Sequence, residues 1–498
     1  MTLISVPEIR IRCCNSAPVC PDGRFVLYWM IAFHRATWNF ALDRAVGWAE
    51  RLGKPLVVLE ALRCDYPWAS DRMHSFVLDG MAENAYRFEG TGVLHYPFVE
   101  FQPNEGKGLL RAMAAHASVV VTDDFPCFFL PRMVAAATLQ VPVRMEAVDS
   151  NGLLPLRVAD QIFSTAYAFR RFLQKKLPLH LTEFPKTNAL ACAAIPAANR
   201  VPREITARWP RMSARLLNSD RRFLTKVPIN HGVPRVLARG GTSAAQALLK
   251  RFVEKKLDSY PEKRNEPDRN GASGLSPYLH FGHISVHQIF SEIQQHEGWS
   301  PEHLALRATG SRTGWWGVSR AAEAFLDQLI TWRELGFNFC SQRADYDQFD
   351  SLPEWARKTL CGHARDERAY VYIAQKFEHA ATHDPLWNAA QTQLLREGTI
   401  HNYLRMLWGK KILEWTPSPV KALEVMVELN NKYALDGRDP NSYSGISWCL
   451  GRYDRPWGPE RPILGTVRYM SSANTARKLT VEGYLRKYIP NWQPASAF

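Results

Sequence analysis

Long apolar runs are missing from this chain. No stretch approaches the roughly twenty apolar residues of a membrane-spanning helix. The N-terminus carries no long apolar run either, so a soluble intracellular protein is expected. The nine cysteines lack a paired metal-ligand spacing: Cys13 and Cys14 are adjacent and the rest are scattered. That argues against zinc or a disulfide framework and fits a reducing, cytoplasmic compartment. Glycine is missing where a dinucleotide fold needs it, because Tyr28-Trp29-Met30 runs into Ile31-Ala32-Phe33-His34-Arg35 rather than into a glycine-rich turn. Internal repeats and low-complexity tracts are not apparent.

What is present is a basic chain able to form cores. With 498 residues and 46 % hydrophobic content it can bury two of them, and two domains are expected. Its 62 Lys plus Arg against 48 Asp plus Glu give a net charge of +14. Such an excess suits a polyanionic partner through counterion release, and on its own suits a plain basic surface equally well.

After an irregular tail (1–19), apolar runs at 25–30, 55–62, 93–99, 118–122 and 141–147 alternate with helix-like stretches such as 37–52 and 72–88. The alternation predicts an α/β domain over 20–180, a parallel sheet wrapped by helices. Residues 181–229, where Pro185, Pro196, Pro202 and Pro210 interrupt basic residues, read as an interdomain linker. Helical patterns at 242–257, 285–295, 321–336 and 366–377 predict an all-α domain over 230–490.

The densest information lies in 384–457. Asp384 followed by Pro385 is an N-cap and first-turn signature, Gly398 stops that helix, and Thr399 can cap the next, which runs to the Thr416-Pro417-Ser418-Pro419 break. In the second helix His401, Arg405, Trp408, Ile412 and Trp415 recur at intervals of four, three, four and three, along one face. An arginine set into an aromatic stripe is costly unless a carboxylate meets it, and Asp436, in a polar turn after an apolar helix, is the natural partner. Tryptophans at such spacing ordinarily mean an aromatic core.

The motifs narrow this further. Ser273-Gly274-Leu275-Ser276-Pro277-Tyr278-Leu279-His280-Phe281-Gly282, Trp332-Arg333-Glu334-Leu335 with Asn338-Phe339-Cys340, Asp384-Pro385-Leu386-Trp387-Asn388-Ala389, Lys410-Lys411-Ile412-Leu413-Glu414-Trp415-Thr416, Asp436-Gly437-Arg438-Asp439-Pro440-Asn441 and Arg468-Tyr469-Met470-Ser471 stand in this order over the last half of the chain. Together they resemble the class II cyclobutane pyrimidine dimer photolyases of the photolyase/cryptochrome family. The opening, Val26-Leu27-Tyr28-Trp29-Met30 with Asn39-Phe40-Ala41-Leu42 and Lys54-Pro55-Leu56-Val57-Val58, is compatible.

The resemblance implies a Rossmann-like antenna domain followed by a helical FAD-binding and DNA-binding domain. It implies light-driven repair of pyrimidine dimers in DNA by a monomer that carries FAD and admits an antenna pigment, a deazaflavin or another. By the same resemblance Tyr260, Ser273, Gly274, Leu275 and Ser276 contact FAD. Arg405 and Asp436 pair beside its ring, Asn430 faces N5, and Asp439 and Asn441 lie close by. Trp387, Trp408 and Trp415 match the positions through which flavin is reduced by light. Trp332, Met406, Trp448, Asp454, Arg455, Trp457 and Arg264 match positions that line the dimer pocket or touch DNA. The chain also departs from the pattern. Gln328 stands where the family has a glutamate that bonds the dimer's carbonyl oxygens, Tyr453 replaces a histidine, Asn431 an aspartate, Asn402 a glycine and Gly409 an alanine. Gln328 keeps an N–H donor but loses the acidic proton, so a cryptochrome-like photoreceptor with little or no repair is the alternative.

Overall fold

The computed structural model describes residues 6–493 apart from 192, 199, 219 and 220. Two compact units share the chain. The first gathers Met1–Val158, Leu177–Lys250 and Leu275–Glu292, and the second Ala159–Lys176, Arg251–Gly274 and Ile293–Phe498. The described residues of 181–229 belong to the first unit.

Among the described residues that unit has six strands: β1 (Ile11–Cys13), β2 (Phe25–Met30), β3 (Leu56–Leu62), β4 (Leu94–Val99), β5 (Ala117–Asp123) and β6 (Met145–Val148). They form one sheet in the order β1-β6-β5-β2-β3-β4, parallel throughout except where β1 meets β6. All six residues of β2 are buried, as a strand covered on both faces requires. β1 corrects the expectation of an irregular tail. Three residues are too few to show alternation, and the strand exists because Ile11, Arg12 and Cys13 find partners in Val148, Ala147 and Glu146. The helix Phe40–Leu52 is capped by Asn39, whose side-chain oxygen accepts from the Ala41 and Leu42 amides, and ends at Gly53 in the left-handed conformation.

The absent glycine turn has a structural counterpart. Where the chain leaves β2, the backbone amides of Ile31, Ala32 and Phe33 donate to Asp123 Oδ2 at 2.8, 2.7 and 3.0 Å, and Tyr28 donates to Asp123 Oδ1 at 2.7 Å. A fixed carboxylate takes the amides that a dinucleotide phosphate would need.

Two histidines of this unit are held neutral. His283 Nδ1 accepts from the Gly241 amide at 2.9 Å, which a protonated ring cannot do. Burial pushes it down to about 3, and burial likewise pushes His74 down to about 4. Below about pH 6.5 the unfolded chain takes up protons that these rings refuse, so stability falls with pH. Asp43, pushed up to about 7 by burial, works the other way. In this unit two groups against one leave a net loss of about 1.4 kcal/mol per pH unit, or about 2 kcal/mol from pH 6.5 to 5.0, and His401 of the second unit, pushed down to about 4 by burial, adds to the loss. Denaturant unfolding at the two pH values checks this; an equal or higher midpoint at pH 5.0 contradicts it.

The second unit is helical. The pattern at 321–336 resolves into three consecutive segments, Arg320–Leu326, a π-helical stretch Asp327–Trp332, and Arg333–Gln342. The pattern at 366–377 yields only Ala374–Glu378. Its first half stays irregular because its polar groups bond far along the chain: Asp366 accepts from the Ile463 amide at 2.8 Å, and the Tyr372 amide donates to the Trp415 carbonyl at 2.9 Å. Among the described residues no helix is long and apolar enough to cross a membrane.

Candidate active site

Two helices of the second unit carry the aromatic row. Pro385–Glu397 begins as expected, with Asp384 Oδ1 accepting from the Trp387 amide at 2.9 Å and Pro385 first in the helix, and Gly398 ends it at φ 69°. The next helix is Asn402–Trp415, with His401 rather than Thr399 at its cap. The connection is spoken for otherwise: the His401 amide donates to Gln393 Oε1 at 2.8 Å, and the Gly398 carbonyl accepts from the Leu435 amide at 2.8 Å.

Trp387 is the middle indole. Its ring lies 6.5 Å from Trp408 at an interplanar angle of 4°, and 6.1 Å from Trp415 at 67°. Trp387 Nε1 donates to the Trp408 carbonyl at 3.0 Å, and Trp408 Nε1 to Gln391 Oε1 at 2.9 Å. All three rings are buried, and Trp415 touches the exposed ring of His383 at 4.9 Å.

One turn before Trp408, Arg405 Nη2 meets Asp436 Oδ1 at 3.2 Å and Oδ2 at 3.4 Å. The sequence pattern made Arg405 a core arginine, but its side chain keeps 25 % of its surface against 13 % for Asp436. The stripe is therefore open at its N-terminal end, and the guanidinium sits at the rim, as long cationic side chains do. The polar turn after the helix Pro419–Tyr433 is fastened by Asn431, which accepts from the Asn430 side-chain amide at 3.2 Å and from the Arg438 backbone amide at 2.9 Å and donates to the Tyr443 hydroxyl at 3.1 Å. An amide both donates and accepts there, which an ionised aspartate cannot. Asp439 caps the helix Pro440–Cys449 by accepting from the Asn441 amide at 2.9 Å, leaving Asp439 buried and Asn441 exposed.

Gln328 and Trp332 share the π-helical stretch, whose first residue, Asp327, is paired with Arg170 at 2.8 Å. Trp332 and Trp448 stack on one another at 4.5 Å and 14°. Asp454 Oδ1 organises the following loop by accepting from the Arg455 amide at 3.0 Å and from Trp457 Nε1 at 2.8 Å, with the Arg455 guanidinium 5.2 Å over the Trp457 ring. Arg455 and Trp457 are exposed. Tyr260 is buried edge-on against Phe252 and Phe325, with Arg264 5.7 Å over its ring. Ser273 and Gly274 lie in an irregular segment of this unit, Gly274 at φ 73°. Leu275 and Ser276 begin the short helix Ser276–His280, which belongs to the first unit.

A deoxyribodipyrimidine photo-lyase of Methanothermobacter thermautotrophicus is 34 % identical over 96 % of this chain and 97 % of its own length. The photo-lyase of Oryza sativa is 34 % identical over 96 % of this chain and 89 % of its own, and that of Potorous tridactylus 32 % over 93 % and 81 %. The chain belongs to the deoxyribodipyrimidine photo-lyase family. No protein-family model matches it. Two solved structures share the fold at low identity: a class III photolyase from Agrobacterium tumefaciens (TM-score 0.64, 15 % identical, covering 94 % of this chain and 87 % of that one) and a Synechocystis cryptochrome (TM-score 0.64, 14 % identical, 94 % and 88 %).

Sequence reasoning missed several residues of this photo-lyase family member. Gln391, which holds the Trp408 indole, stands four residues after Trp387 and so on the same helical face, a signal that was available. Gly409 was an unexplained departure. A Cβ at that position would sit 2.5 Å from Cys449 Sγ and 3.1 Å from Met426 Sδ, so the glycine makes room for Cys449, which also touches Met406 Sδ at 3.9 Å. Gly409→Ala should cost about 1–3 kcal/mol through overpacking, and Cys449→Ala in the same chain should recover most of it. Thermal unfolding of the single and double variants checks this.

Proposed function

We propose that this chain repairs cyclobutane pyrimidine dimers in DNA with light, as a class II deoxyribodipyrimidine photo-lyase that works as a monomer with FAD. The carrying observation is that one helix, Asn402–Trp415, bears both Arg405, which pairs with Asp436, and two of three indoles in an unbroken row. The donor set fits an isoalloxazine: a guanidinium and a carboxylate for its polar edge, and a buried amide, Asn430, that can donate or accept at N5. Asp439 and Asn441 follow at the start of the helix Pro440–Cys449 and in this reading lie close to the ring. In this reading Tyr260, Ser273 and Gly274, with Leu275 and Ser276 after them in the chain, hold the rest of the cofactor. Reduced FAD, when bound, supplies the light-driven electron that splits the dimer.

The chain's own residues do the remainder. Arg405 and Asp436 orient the ring while Asn431 fixes the Asn430 amide. Trp408, Trp387 and Trp415 pass oxidising equivalents outward. Trp332, Met406 and Trp448 receive the extruded dimer, Gln328 donates to its carbonyl oxygen, and Arg264, Arg455 and Trp457, braced by Asp454, hold the strand. The α/β unit carries an antenna pigment, a deazaflavin or another. Gln328 is what favours the second reading, a flavin photoreceptor. Illuminating the reduced protein with dimer-containing DNA and counting restored thymines separates the two: flavin held and photoreduced without repair means the receptor.

Arg455→Ala and Arg264→Ala should each weaken DNA binding and lower the salt slope by about one. Affinities measured across a salt series check this, and an unchanged slope in both variants removes the phosphate contacts from the scheme.

A further inference from the structure

Lys410 is a buried charge that the scheme above does not use. It stands on the helix Asn402–Trp415 with 1 % exposure, and its ammonium donates to the Cys449 carbonyl at 2.6 Å. No carboxylate lies in salt-bridge reach of it among the described residues, and an ammonium buried against a neutral carbonyl is expensive to keep. The acceptor explains its position. Cys449 ends the helix Pro440–Cys449, where unpaired carbonyls collect the negative end of the helix dipole. The residue before it is Trp448, stacked on Trp332, and two residues after it Gly451 turns the chain at φ 110° into the loop organised by Asp454. One side chain thus links the helix of Arg405 and Trp408 to the point where the chain departs for Arg455 and Trp457.

We propose that Lys410 is a positioning residue: its ammonium ties the C-terminal end of Pro440–Cys449 to Asn402–Trp415 and thereby holds Trp448 and residues 451–457 in the arrangement that receives damaged DNA. The last clause rests on the repair reading; the tie itself does not.

The charges around Lys410 set when the tie holds. Burial pushes it down to about 8; Asp454 favours the ammonium and Arg468 opposes it. The Cys449 thiol, pushed up to about 11 by burial, stays neutral throughout. A lysine whose folded value is lowered keeps its proton below that value, so the tie is charge-assisted at pH 7 and weakens to a neutral amine's hydrogen bond as pH climbs past about 8.

Hydrogen exchange of the backbone amides of 450–455 in the whole protein, corrected for the intrinsic base-catalysed rate and referenced to the helix Pro385–Glu397, tests the tie. In the wild type their protection should fall between pH 7 and pH 9. In Lys410→Met, which keeps the volume but offers no donor, it should be low at both. Dissociation constants for a dimer-containing oligonucleotide should rise by up to about tenfold over the same interval in the wild type, the reciprocal of the protonated fraction, and stay flat in Lys410→Met. Wild-type protection that does not change with pH overturns the proposal, whether or not the variant folds, as does a variant that matches the wild type at pH 7. If protection follows the expected course while no dimer-containing DNA binds at any pH, the tie stands and the repair reading falls.

Discussion

Trp387→Phe should slow light-driven reduction of the flavin more than the same change at Trp415. Among the ring contacts, Trp387 alone touches both of the other indoles, at 6.5 and 6.1 Å, and Trp408 and Trp415 meet only through it. Their own separation is two turns, roughly 10 Å along the axis. Phenylalanine preserves the apolar packing but is far harder to oxidise than indole. Since each 1.4 kcal/mol of added barrier is about tenfold in rate, the loss should exceed an order of magnitude. Trp415→Phe removes only the outer member and should cost less. Absorbance-monitored photoreduction of the oxidised protein, with flavin content measured alongside, is the check. Equal rates in wild type and Trp387→Phe would reduce the row to core packing.

Gln328→Glu should raise the repair yield per absorbed photon by about one to two orders of magnitude. A donor aimed at developing charge in a water-excluded site is worth about 2.7–4 kcal/mol when lost outright, and an amide in place of a carboxylic acid loses only part of that. Gln328 has a half-buried place in a π-helical stretch, four residues before Trp332 on the same segment. Such a stretch widens the helix by one residue per turn and re-aims the side chains it carries. Flavin content and DNA affinity should barely change. If neither the wild type nor the variant restores thymines under illumination, the chain is a receptor and not a repair enzyme.

The strands that declared themselves in the sequence were those buried on both faces, because a run such as Phe25 to Met30 needs no partner to be recognised. The cap at Asp384 and the stop at Gly398 were equally plain, since each acts within a few residues. The pairing of Arg405 with Asp436 followed from the cost of an unpaired charge. Three features were beyond reach for one reason: each is decided by what comes alongside. β1 exists through its partner strand, the His401 start depends on Gln393, and the central place of Trp387 depends on how two helices pack. The π-helical turn was hidden differently, because a single extra residue in the ladder leaves the apolar pattern on either side intact.

Gly409 and Cys449 constrain each other. Alanine at 409, the residue expected at that place by family resemblance, would put a methyl group 2.5 Å from the Cys449 sulfur. The two positions therefore have to be read as a pair: with the sulfur in place alanine at 409 meets a clash, and with a smaller side chain at 449 glycine at 409 leaves a small void, so neither residue can be exchanged without strain or a gap unless the other changes with it.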